Sequence, residues 1–208
     1  MKTIASFDID AQKTFTPLCP HELPVAEGHL IVAELNAQAK LAQYRIGSKD
    51  AHSPHAIWVA NDQNPQLSVI EGENVDVRWK QHAVPGTLGF ELLDGLPKIA
   101  DYDFFVWKGI EPDMHPYGAC YHDFAEKLST GVVEFLKHHG VEIVIAGGLA
   151  TDYCVKLTVL QLLKAGFEVI INLGACRGIA AETTQQALIE LQAAGAKLAS
   201  SAKDICLN

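Results

Sequence analysis

The sequence predicts an α/β protein: a three-layer sandwich around a mostly parallel sheet of six strands. Two observations carry this expectation. Strand-like and helix-like segments alternate along the chain, and in the C-terminal half one grammar recurs, a helical pattern, a glycine, then a short apolar strand. Strands that alternate with helices imply a parallel sheet with right-handed crossovers. At 208 residues, 49% of them hydrophobic, the chain suits a single domain over residues 1–208 with a well-filled core.

Taken in order, Ile4 to Ile9 is an apolar run of strand character, and Gly28 to Leu41 has the pattern of a helix. Tyr44 to Ser48 and Asp103 to Trp107 supply the second and third strands. Between Asp50 and Lys98 the periodicity fails, with prolines and asparagines in its place. An irregular insertion that long, at about 50–98, usually carries function. The helical stretch ending at Gly140 leads into Val141 to Ala146; those ending at Gly166 and Gly195 lead into Phe167 to Ile171 and Ala196 to Ala199. Each glycine suits the left-handed residue that closes a helix before the chain turns back. A further helical pattern, Val155 to Ala165, follows the fourth strand.

The formal charge of −9 argues against nucleic acid or an anionic membrane as partner. No apolar run approaches the length of a membrane span, and the one at the N-terminus is too short for a signal peptide. Five cysteines without CxxC pairing suggest neither a disulfide framework nor a zinc knuckle. A cytoplasmic protein is expected, alone or as a homo-oligomer.

In such sheets ligands bind beyond the carboxyl ends of the strands. Four strand ends deliver Asp10, Asp50, Lys108 and, after Gly147-Gly148, Cys154 towards one edge. Cys154 falls at the first turn of a helix, where unpaired amides and the helix dipole favour a thiolate and can bind an oxyanion. Most free cysteines are simply small buried residues. Singly, an aspartate after a strand is a turn former and a lysine there can snorkel. Jointly they are a proton carrier, a cation and a nucleophile, the set that hydrolysis by cysteine needs. A second constellation comprises Asp50, His52 and His55, then Trp79 and His82. One carboxylate with two or three imidazoles suits zinc, manganese or iron(II), and Asp50 and His52 point the same way in strand geometry.

These residues resemble a known family. Asp10-Ala11-Gln12 with Phe15, Asp50-x-His52, His82 with Gly86-Thr87-x-Gly89, Lys108-Gly109, Gly148 to Val155, and Ala175-Cys176-Arg177-Gly178 are similar to the isochorismatase-like cysteine hydrolases, within them the nicotinamidase/pyrazinamidase branch. The resemblance runs in order from Phe7 to Gly178. It implies a Rossmann-like hydrolase fold and a triad of Asp10, Lys108 and Cys154. It implies an oxyanion hole from the backbone N–H groups of Ala150 and Cys154, with a cis peptide joining Leu149 to Ala150. One divalent metal ion, zinc first and manganese or iron as alternatives, would be held by Asp50, His52 and His82, with His55 as a further candidate. Phe15 and Trp79 match aromatics that sandwich a substrate ring. The implied activity is hydrolysis of nicotinamide to nicotinate and ammonia through a Cys154 thioester, in NAD salvage. The alternative is a relative acting on a carbamoyl or ureido compound.

Departures stand at Thr14, where the family often has an acidic or amide residue, and at Pro20-His21-Glu22, which replaces a glycine-rich turn. The spacing from His52 to His55 is also a residue short of the usual pattern. His115, Tyr117 and His122, in the loop after Lys108, are expected at most to line the pocket, and Cys176 to be a buried structural thiol.

Overall fold

The computed structural model describes residues 2–207. Among these, six strands form one sheet: β1 (Thr3–Ile9), β2 (Tyr44–Asp50), β3 (Phe104–Lys108), β4 (Val141–Leu149), β5 (Glu168–Arg177) and β6 (Lys197–Ala199). Their order is β3-β2-β1-β4-β5-β6, and every neighbouring pair is parallel. Four α-helices accompany them: α1 (Val32–Ala39), α2 (Val132–His138), α3 (Lys156–Lys164) and α4 (Ala181–Ala193).

The strands are apolar on both faces because helices cover both faces. Ala5, Phe7 and Ile9 of β1 share one core cluster with Val133 and Leu136 of α2, Val159 and Leu162 of α3, and Leu191 of α4. On the opposite face Leu35 of α1 packs with Ile31, Leu149 and Ala175. This is the expected three-layer arrangement. The helix-closing glycines Gly140, Gly166 and Gly195 do take positive φ, at 64°, 97° and 107°.

Three boundaries differ most from the sequence reading, one being the end of β5, which runs to Arg177 rather than Ile171. The expected helix over Gly28 to Leu41 divides into a 3₁₀ turn, Gly28–Leu30, and α1. β4 continues past Ala146, because Gly147 and Gly148 still pair with Asp8 and Ile9 of β1. Gly148 has φ of 145°, and a β-carbon there would run into the Ile9 carbonyl. Glycine therefore lets β4 stay against β1 up to its last residue. Between Asp50 and Ile99 there is neither helix nor strand, only isolated bridges such as Val59 to Trp79. Fully buried Trp58 anchors that stretch, its indole N–H donating to the Met114 carbonyl at 3.0 Å. No helix among the described residues is long and apolar enough to cross a membrane. Strand order reverses between β1 and β4, which is where a doubly wound sheet opens a crevice at its carboxyl edge.

Candidate active site

At that crevice the ends of β1, β2 and β3 meet the segment after β4. Lys108, the last residue of β3, is fully buried. Its Nζ lies 3.1 Å from Asp10 Oδ2 and 3.8 Å from Cys154 Sγ, pairs with Asp50 Oδ1, and donates to the Pro116 carbonyl at 3.0 Å. A carboxylate oxygen of Asp10, one of Asp50 and Cys154 Sγ all lie within 4.8 Å of one another. Asp10 holds left-handed backbone geometry, φ 45°, uncommon for a residue with a β-carbon. Ser48 fixes it on both sides: the Ser48 hydroxyl donates to Asp10 Oδ1 at 2.7 Å and accepts from the Asp10 amide at 3.2 Å. Gln12 closes a reciprocal pair with the Asp50 backbone, accepting the Asp50 N–H at 2.8 Å and donating to the Asp50 carbonyl at 2.9 Å.

Burial raises the Asp10 carboxyl pKa despite the opposing Lys108. Burial acts the same way on Asp50, but Lys108 and the neighbouring imidazoles outweigh it and hold that carboxyl below the usual range. For Lys108 burial favours the neutral amine, yet two carboxylates overcome it and keep the ammonium. Cys154 corrects the expectation of a thiolate. Burial pushes its thiol well above the ordinary value, and Asp50 and Asp10 add to this against Lys108. Loss of hydration in this dry site, aided by two nearby carboxylates, is what disfavours the thiolate.

The helix start is itself unusual. Thr151–Val155 forms a π-helical turn that runs directly into α3, preceded by a cis peptide between Leu149 and Ala150 as expected. Asp152 ties this turn to α4, accepting from the amides of Ile179 and Ala180 at 3.0 and 3.3 Å and from the Thr183 hydroxyl at 2.5 Å. Side chains of α3 hold the neighbouring loop, with Thr158 and Gln161 accepting from the amides of Ala119 and Cys120 at 3.0 and 3.1 Å.

Beside the Lys108 cluster, His52, His82 and His115 are all buried and bring one ring nitrogen each within 4.8 Å of the others. His52 Nδ1 bonds the Gly109 carbonyl at 2.9 Å and His82 Nδ1 bonds the Lys80 carbonyl at 2.7 Å, leaving Nε2 of each for the cluster. Gly109, at φ 78°, makes room: a β-carbon there would stand 2.5 Å from the His52 ring. His52 Nε2 is 3.5 Å from Asp50 Oδ2. Burial holds His82 down to about 3 and His115 well below the ordinary imidazole value, so both rings are neutral and their lone pairs are available. His52 Nε2 and both His115 nitrogens are buried without a protein partner. Unsatisfied imidazole nitrogens grouped beside a carboxylate fit a first-row divalent cation.

Among the expected ligands, Asp50, His52 and His82 come together. His55 does not: it is exposed on a turn, its amide bonding the Ser53 hydroxyl at 3.2 Å, and stands outside the imidazole cluster. His115, expected only to line the pocket, joins the cluster instead. The signal for it was weak, a histidine in an irregular loop with no partner spacing. Phe15 and Trp79 line the same cleft as His82, His115 and Cys154. The room left among them is ≈ 20 Å³. Tyr117 and Tyr153 separate it from a wider groove of ≈ 390 Å³ that lacks both thiol and imidazole. The Tyr117 hydroxyl donates to Asp76 at 2.7 Å and accepts from the Trp79 indole at 3.1 Å.

Thr14 and Glu22, at two of the departures from the family pattern, answer one another. The Thr14 hydroxyl donates to Glu22 at 2.5 Å, and Glu22 accepts the Ala83 amide at 3.0 Å, pinning the residue after His82. Cys176 is buried as expected, and burial pushes its thiol up to about 12.

The Isochorismatase domain family matches residues 7–203. The chain belongs to the isochorismatase family. The nicotinamidase of Escherichia coli K12 is 36% identical over 122 residues, an alignment covering 58% of this chain and 56% of that protein. The chain is also similar, over nearly its whole length, to a solved nicotinamidase and pyrazinamidase of Acinetobacter baumanii: TM-score 0.89, 26% identity, 99% of each chain covered. A pyrazinamidase of Pyrococcus horikoshii, solved in complex with zinc, superposes with a TM-score of 0.74 at 28% identity over 94% of this chain and 98% of that one.

Proposed function

We propose that this isochorismatase-family member is a nicotinamidase, hydrolysing nicotinamide to nicotinate and ammonia with Cys154 as nucleophile. The chain is a hydrolase acting on a carboxamide, in keeping with the relatives named above. The observation that carries the finer reading is the buried Lys108 ammonium, in contact at once with Asp10, Asp50 and the Cys154 thiol.

In the proposed reaction Asp10 accepts the Cys154 proton as sulfur attacks the carboxamide carbon. Its raised affinity for a proton suits it to take one from a thiol and return it. Lys108 keeps the pair of carboxylates in place and offsets charge developing on sulfur. The tetrahedral oxygen rests on the amides of Ala150 and Cys154. Asp10 passes its proton to the leaving nitrogen, and ammonia departs. Water, deprotonated by Asp10, then attacks the thioester carbonyl, nicotinate leaves, and the proton returns to sulfur. Phe15 and Trp79 hold the aromatic ring.

Asp50, His52 and His82 would hold a divalent metal ion, proposed as zinc from the donor set and the zinc-bound neighbour. Bound there, such an ion supplies a Lewis acid for the pyridine nitrogen and so orients the amide. The product fits pyridine-nucleotide salvage in the cytoplasm.

The test is ammonia release from nicotinamide by purified protein, alongside Cys154→Ala and a chelator-treated sample. Loss in both supports nucleophile and metal together. Loss in Cys154→Ala alone keeps the thioester route and removes the metal's essential role. No release from metal-replete protein overturns the reading in favour of carbamoyl or ureido substrates.

A further inference from the structure

His115 is 3% exposed, and neither of its ring nitrogens has a protein partner. A buried donor or acceptor left unmade costs about 1–3 kcal/mol, so a ring with both nitrogens unsatisfied needs an account. Nothing about the ring is loose. Its amide donates to the Asn74 carbonyl at 2.8 Å. The ring lies nearly parallel to both His52, at 4.9 Å and 16°, and Trp79, at 6.0 Å and 14°. Trp58 meets it edge-on at 4.4 Å. The stack therefore fixes the plane of the imidazole, and one nitrogen falls among the inward-facing nitrogens of His52 and His82.

We propose that His115 is a further protein ligand to the metal, so that one carboxylate, Asp50, and three imidazoles, His52, His82 and His115, hold the ion. This rests on the metal-dependent reading above and extends it. His115 takes the place that spacing alone offered to His55, which is exposed and stands apart from the cluster. The assignment gives the unsatisfied His115 ring one strong partner. It also leaves fewer positions on the ion for water or substrate than a site with three protein ligands would have.

The test is metal binding itself, read without turnover. Apo-protein is titrated with cobalt(II) against a chromophoric chelator, for wild type, His115→Phe and His55→Ala, with far-UV circular dichroism of each. Phenylalanine keeps the stack between Trp79 and His52 but has no donor atom. His115→Phe is expected to weaken cobalt binding at least about 100-fold, beyond the 10–100-fold typical of losing an outer-shell partner. Its d–d spectrum should also change. Should His115→Phe not fold, X-ray absorption of the zinc-loaded wild type decides, with three imidazoles expected and two refuting the proposal. Wild-type affinity and spectrum in folded His115→Phe would overturn the assignment while leaving a metal centre. So would a loss confined to His55→Ala. Failure of the wild type to bind any metal would overturn the centre and this ligand together.

Discussion

Replacing Lys108 by methionine removes the charge at the centre of the site while keeping an unbranched side chain. In the native protein that ammonium is fully buried, 3.1 Å from Asp10 and paired with Asp50, itself barely exposed. Taking one partner out of a buried ion pair typically costs about 3–5 kcal/mol, because the remaining charge is left unpaired. Here two carboxylates lose their partner, so metal-free protein should show a loss of that order. At about 2–4 °C per kcal/mol for a domain of this size, the melting temperature of chelator-treated Lys108→Met should fall by about 6–20 °C. The companion variant is Lys108→Met with Asp10→Asn. Removing a carboxylate as well relieves part of the unpaired charge, so the double variant should recover at least about 1 kcal/mol relative to Lys108→Met. Urea melts of all four proteins, the second single variant included, close the cycle. A Lys108→Met melting temperature within about 2 °C of wild type would refute the reasoning. So would a double variant no more stable than Lys108→Met.

Three other outcomes are expected. Cys154 should alkylate with iodoacetamide more slowly at pH 7 than exposed Cys206 in the same sample, and its rate should still be climbing at pH 9, since burial raises its thiol; peptide mass mapping reads both sites, and fast labelling of Cys154 at pH 6 would contradict this. Asp8, buried against Arg45 and Tyr102, is raised by burial from 3.8 to about 6, a shift worth about 3 kcal/mol. A carboxyl raised on folding contributes stability that is complete below 3.8 and is lost as pH rises through about 6. Urea midpoints between pH 4 and 7.5 should therefore decline more steeply in wild type than in Asp8→Asn, and parallel curves would count against it. Gly148→Ala should destabilise by about 2–6 kcal/mol, combining backbone strain with overpacking against Ile9; a wild-type urea midpoint would show that β4 can retreat from β1.

The fold was legible because its signals are local: periodicity, apolar strands and closing glycines each act within a few residues. The edge that carries the candidate site was legible for a related reason, since parallel strands all release their next residues on one side, and Asp10, Asp50 and Lys108 each stand at such an end. Cys154 was placed correctly, but its ionisation was not, because burial and two carboxylates from other strands decide it and no local pattern reports them. His115 and His55 show the same limit at the imidazole cluster. The order of histidines within an irregular loop says little about which ring turns inward. That depends on the Trp58 anchor, on the Asn74 carbonyl that takes the His115 amide, and on α3 side chains holding the loop beyond it.

The Gln12 carboxamide, bonded to both the N–H and the carbonyl of Asp50, has a further consequence. It serves where the strand ladder has run out, joining the tips of β1 and β2 by two further hydrogen bonds. These bonds are expected to insulate Asp10 and Asp50 from any opening of the irregular segment after residue 50. Amide hydrogen exchange would register this directly: the Asp50 N–H, though it borders a long loop, should exchange on the slow timescale of the central sheet. Substitutions in that loop are then expected to reshape the cleft and leave the spacing of the two carboxylates unchanged.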